Sequence, residues 1–472
     1  MILLGINRVG GSRMKFHGRQ PQRKLLRQML SQDGMQTALI YGRRRVGKSE
    51  LVKQVLREEK ITGIYYECKE TTEKNNVDSL SELIGEAFHF PKPSFADMEE
   101  LLKFLFAKAE EAPFSLVLDE YPYLRATTAG LDSILQSLID RYRNTSKVKF
   151  IICGSHIDIM KSLLDSQNPL YGRIDRTINL QPMDYFESAL FYESFSPEDR
   201  VRLYSVFGGI PHYNRLIDPK LSVQENVTEL IASTGARLEN EVSMYLRSEI
   251  SKVTNANEVF EALARGFSRF SDILSQSHVS SSPTLVDVLD KLIRMGLVRK
   301  EAPINDENNR RKAGYYIADQ LSLFYYRYCF RYASQLSVMD PEVFYDRYIR
   351  EDFESKYVPS AFEEVCRQYL IRMNRAGKLA EPFGKIGRYW YDDPENKTNG
   401  EFDLVTEDPK GYVFYEAKFR TEPLSGSRIR QEIMQVQKTG LNCYRYGFIS
   451  RSGFDVEPAD NLELISLAQL YE

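Results

Sequence analysis

Cysteine is scarce in this chain, and long hydrophobic runs are missing. Cys68, Cys153, Cys329, Cys366 and Cys443 lie far apart in 472 residues, with no C-x-x-C pair and no histidine at ligand spacing. That excludes a disulfide framework and a zinc site of recognisable spacing, and the five read as free thiols. No stretch approaches the roughly 20 apolar residues that a membrane helix needs, so no membrane partner is expected. The opening "MILLGINRVGG" has only a short apolar patch and no small-residue cleavage site behind it, which points to the cytoplasm. Charge of one sign is also lacking: 63 Lys and Arg against 66 Asp and Glu leave a net charge of -3. Any nucleic-acid contact must therefore come from local basic patches.

The hydrophobic fraction of 42% and charged fraction of 27% are those of a globular protein. At roughly 150 residues per domain the length suggests about three domains. The expected division is a flexible tail or over-called start at 1–13, an ATPase with its lid at 14–240, a winged helix-turn-helix at 245–320, a helical connector at 321–355 and a nuclease-like domain at 356–472.

In "TALIYGRRRVGKSELVKQVL" a short apolar strand breaks into G-x-x-x-x-G-K-S and then takes helical spacing. Strand, glycine-rich loop and helix are the context a phosphate-binding loop requires. Residues Gly42, Arg43, Arg44, Arg45, Val46, Gly47, Lys48, Ser49 and Glu50 are the candidate nucleotide contacts. Backbone amides curl around the anion, the helix N-terminus adds partial positive charge, Lys48 reaches the β- and γ-phosphates, and Ser49 ligates Mg²⁺. The three arginines read either as loop cations near phosphate or as a solvated face.

A second strand, in "FSLVLDEYPYL", ends in Asp119, suited to holding Mg²⁺ through its water, and Glu120, suited to polarising the attacking water. A third, in "VKFIICGS", delivers Ser155 to the same sheet edge as a candidate γ-phosphate sensor. "PLYGRIDRTINL" offers Arg173 and Arg176, each readable as an arginine finger within or between subunits or as a surface arginine.

Together "MKFHGRQPQRKLL", "LIYGRRRVGKSELV", "LVLDEYPYL", "IICGS", "LYGRID" and "FGGIPHY" resemble the AAA-like archaeal and bacterial ATPases of the STAND-type P-loop branch. The resemblance spans roughly residues 14–240. It implies an α/β fold with a parallel sheet and helical lid, and ATP hydrolysis with Mg²⁺. It further implies that Phe16, Gly18 and Arg19 lie near the adenine, and that Gly208, Gly209 and Pro211 form a lid element. The family's glutamate after the arginine is replaced by Gln20.

Downstream, "NEVFEALARGF", "FSDILSQS" and "SSPTLVDVLDKLIRMGLVRKEAPI" read as three helices. In the third, Ser282 is expected as the cap, Pro283 as the opener and Gly296 as the stop, with Leu285, Val288, Leu289 and Leu292 on one face. A hairpin around "NDENNRRK" completes a winged helix, with Arg310, Arg311 and Lys312 near DNA phosphate. Asp287 and Asp290 make the recognition helix weakly basic, and winged helices also bind proteins. The aromatic, arginine-rich stretch from 319 to 355 reads as interdomain packing in preference to base stacking.

"NGEFDLVTEDPKGYVFYEAKFR" reads as two strands about the turn Glu407-Asp408-Pro409-Lys410. That turn pairs Thr406 with Gly411, Glu401 with Glu416 and Asp403 with Phe414. Asp403, Glu416 and Lys418 then share one face: two carboxylates to hold Mg²⁺ and a lysine to activate water. The pattern resembles the PD-(D/E)xK nuclease superfamily, which implies Glu363 as a helical acid and metal ligand and Gln435 on the following helix. The whole segment resembles the domain of uncharacterised function that commonly follows this ATPase.

The expectation is an ATP-hydrolysing protein that couples nucleotide state to DNA binding, with DNA cleavage as the further expectation. The alternative is a signalling or assembly switch with protein partners. Either is compatible with a homo-oligomer.

Overall fold

The computed structural model describes residues 3–4, 16–244, 255–309, 312–393 and 398–472. It divides into two compact units, one of residues 1–183 with Ile210–His212 and the other of 184–209 with 213–472. No described helix is long and apolar enough to cross a membrane.

The first unit is built on a parallel sheet. Its strands are β1 (Leu3–Leu4), β2 (Gln36–Tyr41), β3 (Gly63–Glu67), β4 (Ser115–Asp119), β5 (Lys149–Gly154) and β6 (Arg176–Asn179), in the spatial order β1-β3-β4-β5-β2-β6. Buried parallel strands read as continuous apolar runs, which is why these segments were legible. Residues 115–118 of β4 and 37–40 of β2 are fully buried. The tail expected at 1–13 is in part a strand, since Leu3 and Leu4 pair with Gly63 and Ile64.

The sheet order has a functional consequence. β5 lies between β2, which feeds the glycine-rich loop, and β4, which ends in the acids. A residue following β5 is thereby placed between the two. Gly42 closes this edge from the β6 side: at φ 156 and with a virtual Cβ 2.3 Å from the Leu180 carbonyl oxygen, it admits no side chain.

In the second unit, helices Ala256–Ala264, Phe270–Gln276 and Ser282–Arg294 precede an antiparallel hairpin of β7 (Val298–Glu301) and β8 (Gly314–Ile317). The third helix is capped by the Ser281 hydroxyl, one residue before the serine expected to do so, and Gly296 follows its end at φ 69. Leu285, Val288, Leu289 and Leu292 form its buried face. The aromatic stretch packs inside the second unit: Phe324 meets Tyr328, Phe353 and Tyr357, Tyr326 stacks on Phe260, and Arg327 grips Asp352 at 2.7 and 2.9 Å. Apart from Ile210–His212, the segment 184–240 also belongs to this unit.

A five-stranded sheet closes the chain. Its strands are β9 (Lys385–Asp393), β10 (Thr398–Asp408), β11 (Gly411–Lys418), β12 (Cys443–Ser450) and β13 (Leu462–Ser466), ordered β13-β12-β11-β10-β9. β9 to β11 run antiparallel, and β11 to β13 are parallel. Phe402, Val405, Phe414 and Phe448 form its core with Ile429 and Val436 of helix Gly426–Lys438. Phe414 is fully buried there. Phe414→Ala should cost about 3–5 kcal/mol, measured as a lowered urea midpoint at unchanged slope.

Candidate functional site

The glycine-rich loop, the acids after β4 and the serine after β5 meet at one sheet edge. Lys48, the first residue of helix Lys48–Glu58, is 5% exposed. Its ammonium donates to Gly42 O at 2.9 Å, Arg43 O at 3.1 Å and Ser155 Oγ at 3.0 Å. Burial pulls its pKa down, and the charges of Glu120 and Asp119 oppose that pull. Ser155 in turn donates from Oγ to Glu120 Oε1 at 2.5 Å and from its amide to Oε2 at 3.1 Å. The expected phosphate lysine, sensor serine and water-activating acid thus form one hydrogen-bonded chain.

Glu120 stands at φ 50, between strand and helix, a left-handed conformation uncommon for such a residue and frequent at functional sites. Ser49 Oγ donates to Asp119 Oδ2 at 2.6 Å, so the two oxygens expected at Mg²⁺ are adjacent. Tyr65 also donates to that carboxylate, and burial beside Asp119 raises its own pKa. Tyr65 escaped the sequence reading because a tyrosine in a buried strand is ordinarily core.

Arg19, buried at φ 60, donates from Nη2 to Val46 O at 3.1 Å, and so grips the phosphate loop from the N-terminal box. Arg44 and Arg45 are exposed, Arg43 is half-buried, and Glu50 is exposed on the first helical turn. Pro211, expected in a lid element, has its Cγ 3.8 Å from where a Cβ on Gly47 would stand.

Arg173 needs correction as a phosphate contact within the chain. Its backbone oxygen accepts from Thr37, near the start of β2, so it lies at the sheet edge opposite the loop. Its guanidinium is held by Asp140 at 2.8 and 2.7 Å. Arg176 is the first residue of β6, opposite Ala38.

The C-terminal hairpin also departs from its expected register. The loop is only Pro409 and Lys410, so Asp408 pairs with Gly411, Thr406 with Val413 and Leu404 with Tyr415. Glu401 faces Trp390 of β9 and not Glu416. The slip is two residues, an even number, so every side chain of the paired residues, Leu404–Asp408 and Gly411–Tyr415, keeps its face. A β-bulge adds to this. Phe402 pairs with Tyr389 and Val405 with Gly387, leaving Asp403 and Leu404 against the single residue Arg388.

Glu363, Arg388, Glu401 and Asp403 line one cavity of about 430 Å³, together with Tyr316 of β8. Arg388 Nε is 3.7 Å from Asp403 Oδ1, and its Nη1 is 3.0 Å from Glu401 Oε1. Lys418 is ion-paired with Glu416 and stands 4.0 Å from Glu432. Burial, and then the Asp403 charge, push Glu363 up to about 8 against the opposing Arg388. Burial also raises Glu416, with Lys418 opposing. Gln435 bonds the Tyr391 hydroxyl at 2.8 Å, and Glu432 is the residue of that helix nearest Lys418. Arg388 and Glu432 were missed because neither falls in the D…E-x-K spacing.

Among the described residues no three carboxylate, imidazole or thiol groups stand together as a metal cage. Two of the three expected acids instead carry a cation of the chain itself. Arg310 and Arg311 lie outside the described residues, and Lys312 pairs with Asp306 at 3.2 Å.

Residues 16–215 match the family described as an ATPase domain predominantly from Archaea, and 325–433 match archaeal and bacterial proteins of unknown function. An uncharacterized protein of Methanocaldococcus jannaschii is 28% identical over 408 residues, covering 86% of this chain and 88% of its own. The Walker-type ATPase of Pyrococcus abyssi aligns at TM-score 0.50 and 21% identity, over 67% of this chain and 97% of its own. The ORC2 protein of Aeropyrum pernix, solved with ADPNP and ADP, aligns at TM-score 0.43 and 15% identity, over 71% and 98%.

Glu363 offers a test of the carboxylate cluster by pH. Its folded pKa of about 8 exceeds the ordinary 4.5, so the folded state holds a proton that the unfolded state releases. Stability from this group is present below pH 4.5 and is lost as pH rises toward 8. Glu363→Gln should flatten that decline, seen as a smaller difference between urea midpoints at pH 5.5 and 8.5.

Proposed function

We propose that this chain, whose residues 16–215 are an ATPase domain of the predominantly archaeal family, uses its nucleotide cycle to set the state of a C-terminal domain that engages DNA. The observation that carries the ATPase chemistry is the Lys48–Ser155–Glu120 hydrogen-bonded chain. A γ-phosphate at this edge would take Lys48 away from the loop carbonyls and Ser155 away from Glu120. The Glu120 carboxylate would then be free to accept a proton from the attacking water. Adjacent Ser49 Oγ and Asp119 suit a hard cation, and Mg²⁺ held there would neutralise charge on the transferring phosphoryl group.

The link to the rest of the chain is proposed through the lid. Ile210–His212 belongs to the nucleotide unit, while Gly209 and Tyr213 on either side belong to the second. A shift of Pro211 with nucleotide state is thereby passed directly along the backbone. The DNA-engaging part is proposed on the three helices followed by the β7–β8 hairpin and on the nuclease-like strand order of β9 to β12. Beyond residue 240 the domain limits proposed are those expected from the sequence, with the protein in the cytoplasm.

A second reading, a signalling or assembly switch that cuts no DNA and binds protein partners, is favoured by one specific observation. The carboxylates Asp403 and Glu416 are each occupied by a cation of the chain.

Lys48→Ala should lower ATP turnover roughly 100-fold or more, and Glu120→Gln by roughly 100- to 10,000-fold with nucleotide still bound. Turnover within a few-fold of the unmodified protein in both would sink the hydrolysis mechanism. For the C-terminal half, Mg²⁺-dependent DNA cleavage abolished by Asp403→Ala supports the nuclease. Its absence with every nucleotide removes cleavage, and DNA-stimulated ATP turnover then separates a DNA switch from a protein-binding one.

A further inference from the structure

Residues 304–307 of the loop that joins β7 to β8 lie along the outer edge of the C-terminal sheet. β9 is an edge strand, whose outward amides and carbonyls need partners. The hairpin loop supplies them: Ile304 N donates to Arg388 O at 2.8 Å, Asn305 Nδ2 to Trp390 O at 2.8 Å, and Trp390 N to Asn305 Oδ1 at 3.0 Å. Side chains reinforce the seam. Arg269 and Lys312 sit over the Trp390 ring at 4.9 and 5.3 Å, and Lys385 pairs with Glu307 at 3.0 Å.

Arg388 stands where this seam meets the carboxylates. Its guanidinium lies 4.7 Å from the centre of the Tyr316 ring of β8 and donates to the hydroxyl of that tyrosine. Glu401 binds it at 3.0 Å and is itself held by Arg269 at 3.2 Å. The far side of the guanidinium faces Asp403, across the bulge. Asp403 and Glu363 border one cavity, and Arg388 lines it beside them.

We propose that the β7–β8 hairpin is a strap that fixes Arg388 as the chain's own counter-ion on the Asp403–Glu363 pair, and that release of the strap opens this pair to a divalent metal ion. On this proposal the same acids serve the arginine or the ion, which accounts for the lack of a metal cage among the described residues. The inference rests on the nuclease-like reading of Asp403, Glu416 and Lys418.

MnCl₂ titrated calorimetrically into the full-length protein tests it. Arg388→Met removes the cation and keeps most of the stem. Asn305→Ala with Tyr316→Phe loosens the strap and leaves the carboxylates and Arg388 in place. Each should bind Mn²⁺ at least tenfold more tightly than the unmodified protein, and adding Asp403→Asn should erase the gain. Any Mn²⁺ at the Ser49–Asp119 pair is common to all these proteins and cancels. Cooperative urea unfolding confirms that each variant is folded, and the strap variant carries the test should Arg388→Met not be. Mn²⁺ affinity unchanged from the unmodified protein, tight or absent, overturns the proposal. Mn²⁺ binding as expected with DNA left intact would refute cleavage and leave the strap standing.

Discussion

A charged amine held almost wholly out of water needs acceptors, and Lys48 finds three of them on two separate pieces of chain. Two are carbonyls of its own loop, and the third is the serine that follows β5. Stranding such a charge would cost several kcal/mol, so loop, β5 and the acid behind it must hold their relative positions. Much of the first unit serves that requirement. β5 is inserted between β2 and β4, Gly42 lets the end of β6 press against the loop, and Arg19 ties Val46 down from the far side. Anion binding at this edge exchanges one set of acceptors for another and needs no new fold.

The second unit handles charge in the opposite sense. Its carboxylates are in excess along β10 and β11, and cations are brought to them: Lys418 from the same strand as Glu416, and Arg388 from β9. At the bulge both Asp403 and Leu404 stand against Arg388, where a regular ladder would have set one residue of β10.

How much of this was legible depended on the range of the forces involved. The parallel strands and the phosphate loop were readable because burial and glycine geometry leave local marks. Gly42, Gly47, Lys48 and Ser49 sit within a few residues of one another, and the acids of β4 end an apolar run. The C-terminal register was harder. "TEDPKG" suits a two-residue loop as well as a four-residue one, so the neighbour of Thr406 was misassigned while its face was right. The bulge, the approach of Arg388 and the placement of Arg173 at the wrong sheet edge for phosphate are set by contacts remote in sequence. Nothing local encodes them: Arg388 stands in "KIGRYWYDD" as an ordinary strand residue, and Tyr65 as an ordinary core tyrosine.

The three-residue excursion of Ile210–His212 has a practical side. Because the chain leaves the nucleotide unit at Met183, returns for those residues and departs again at Tyr213, that unit is no continuous piece of polypeptide. An N-terminal fragment stopping short of residue 210 would carry a complete phosphate loop with no proline beside Gly47. One running beyond it would drag along Asp184–Gly209, including Tyr185, whose hydroxyl bonds Leu470 O at 2.6 Å near the very end of the chain. Gene fusions and limited digestion meet the same obstacle: along the sequence, Asp184–Gly209 of the second unit interrupts the nucleotide unit.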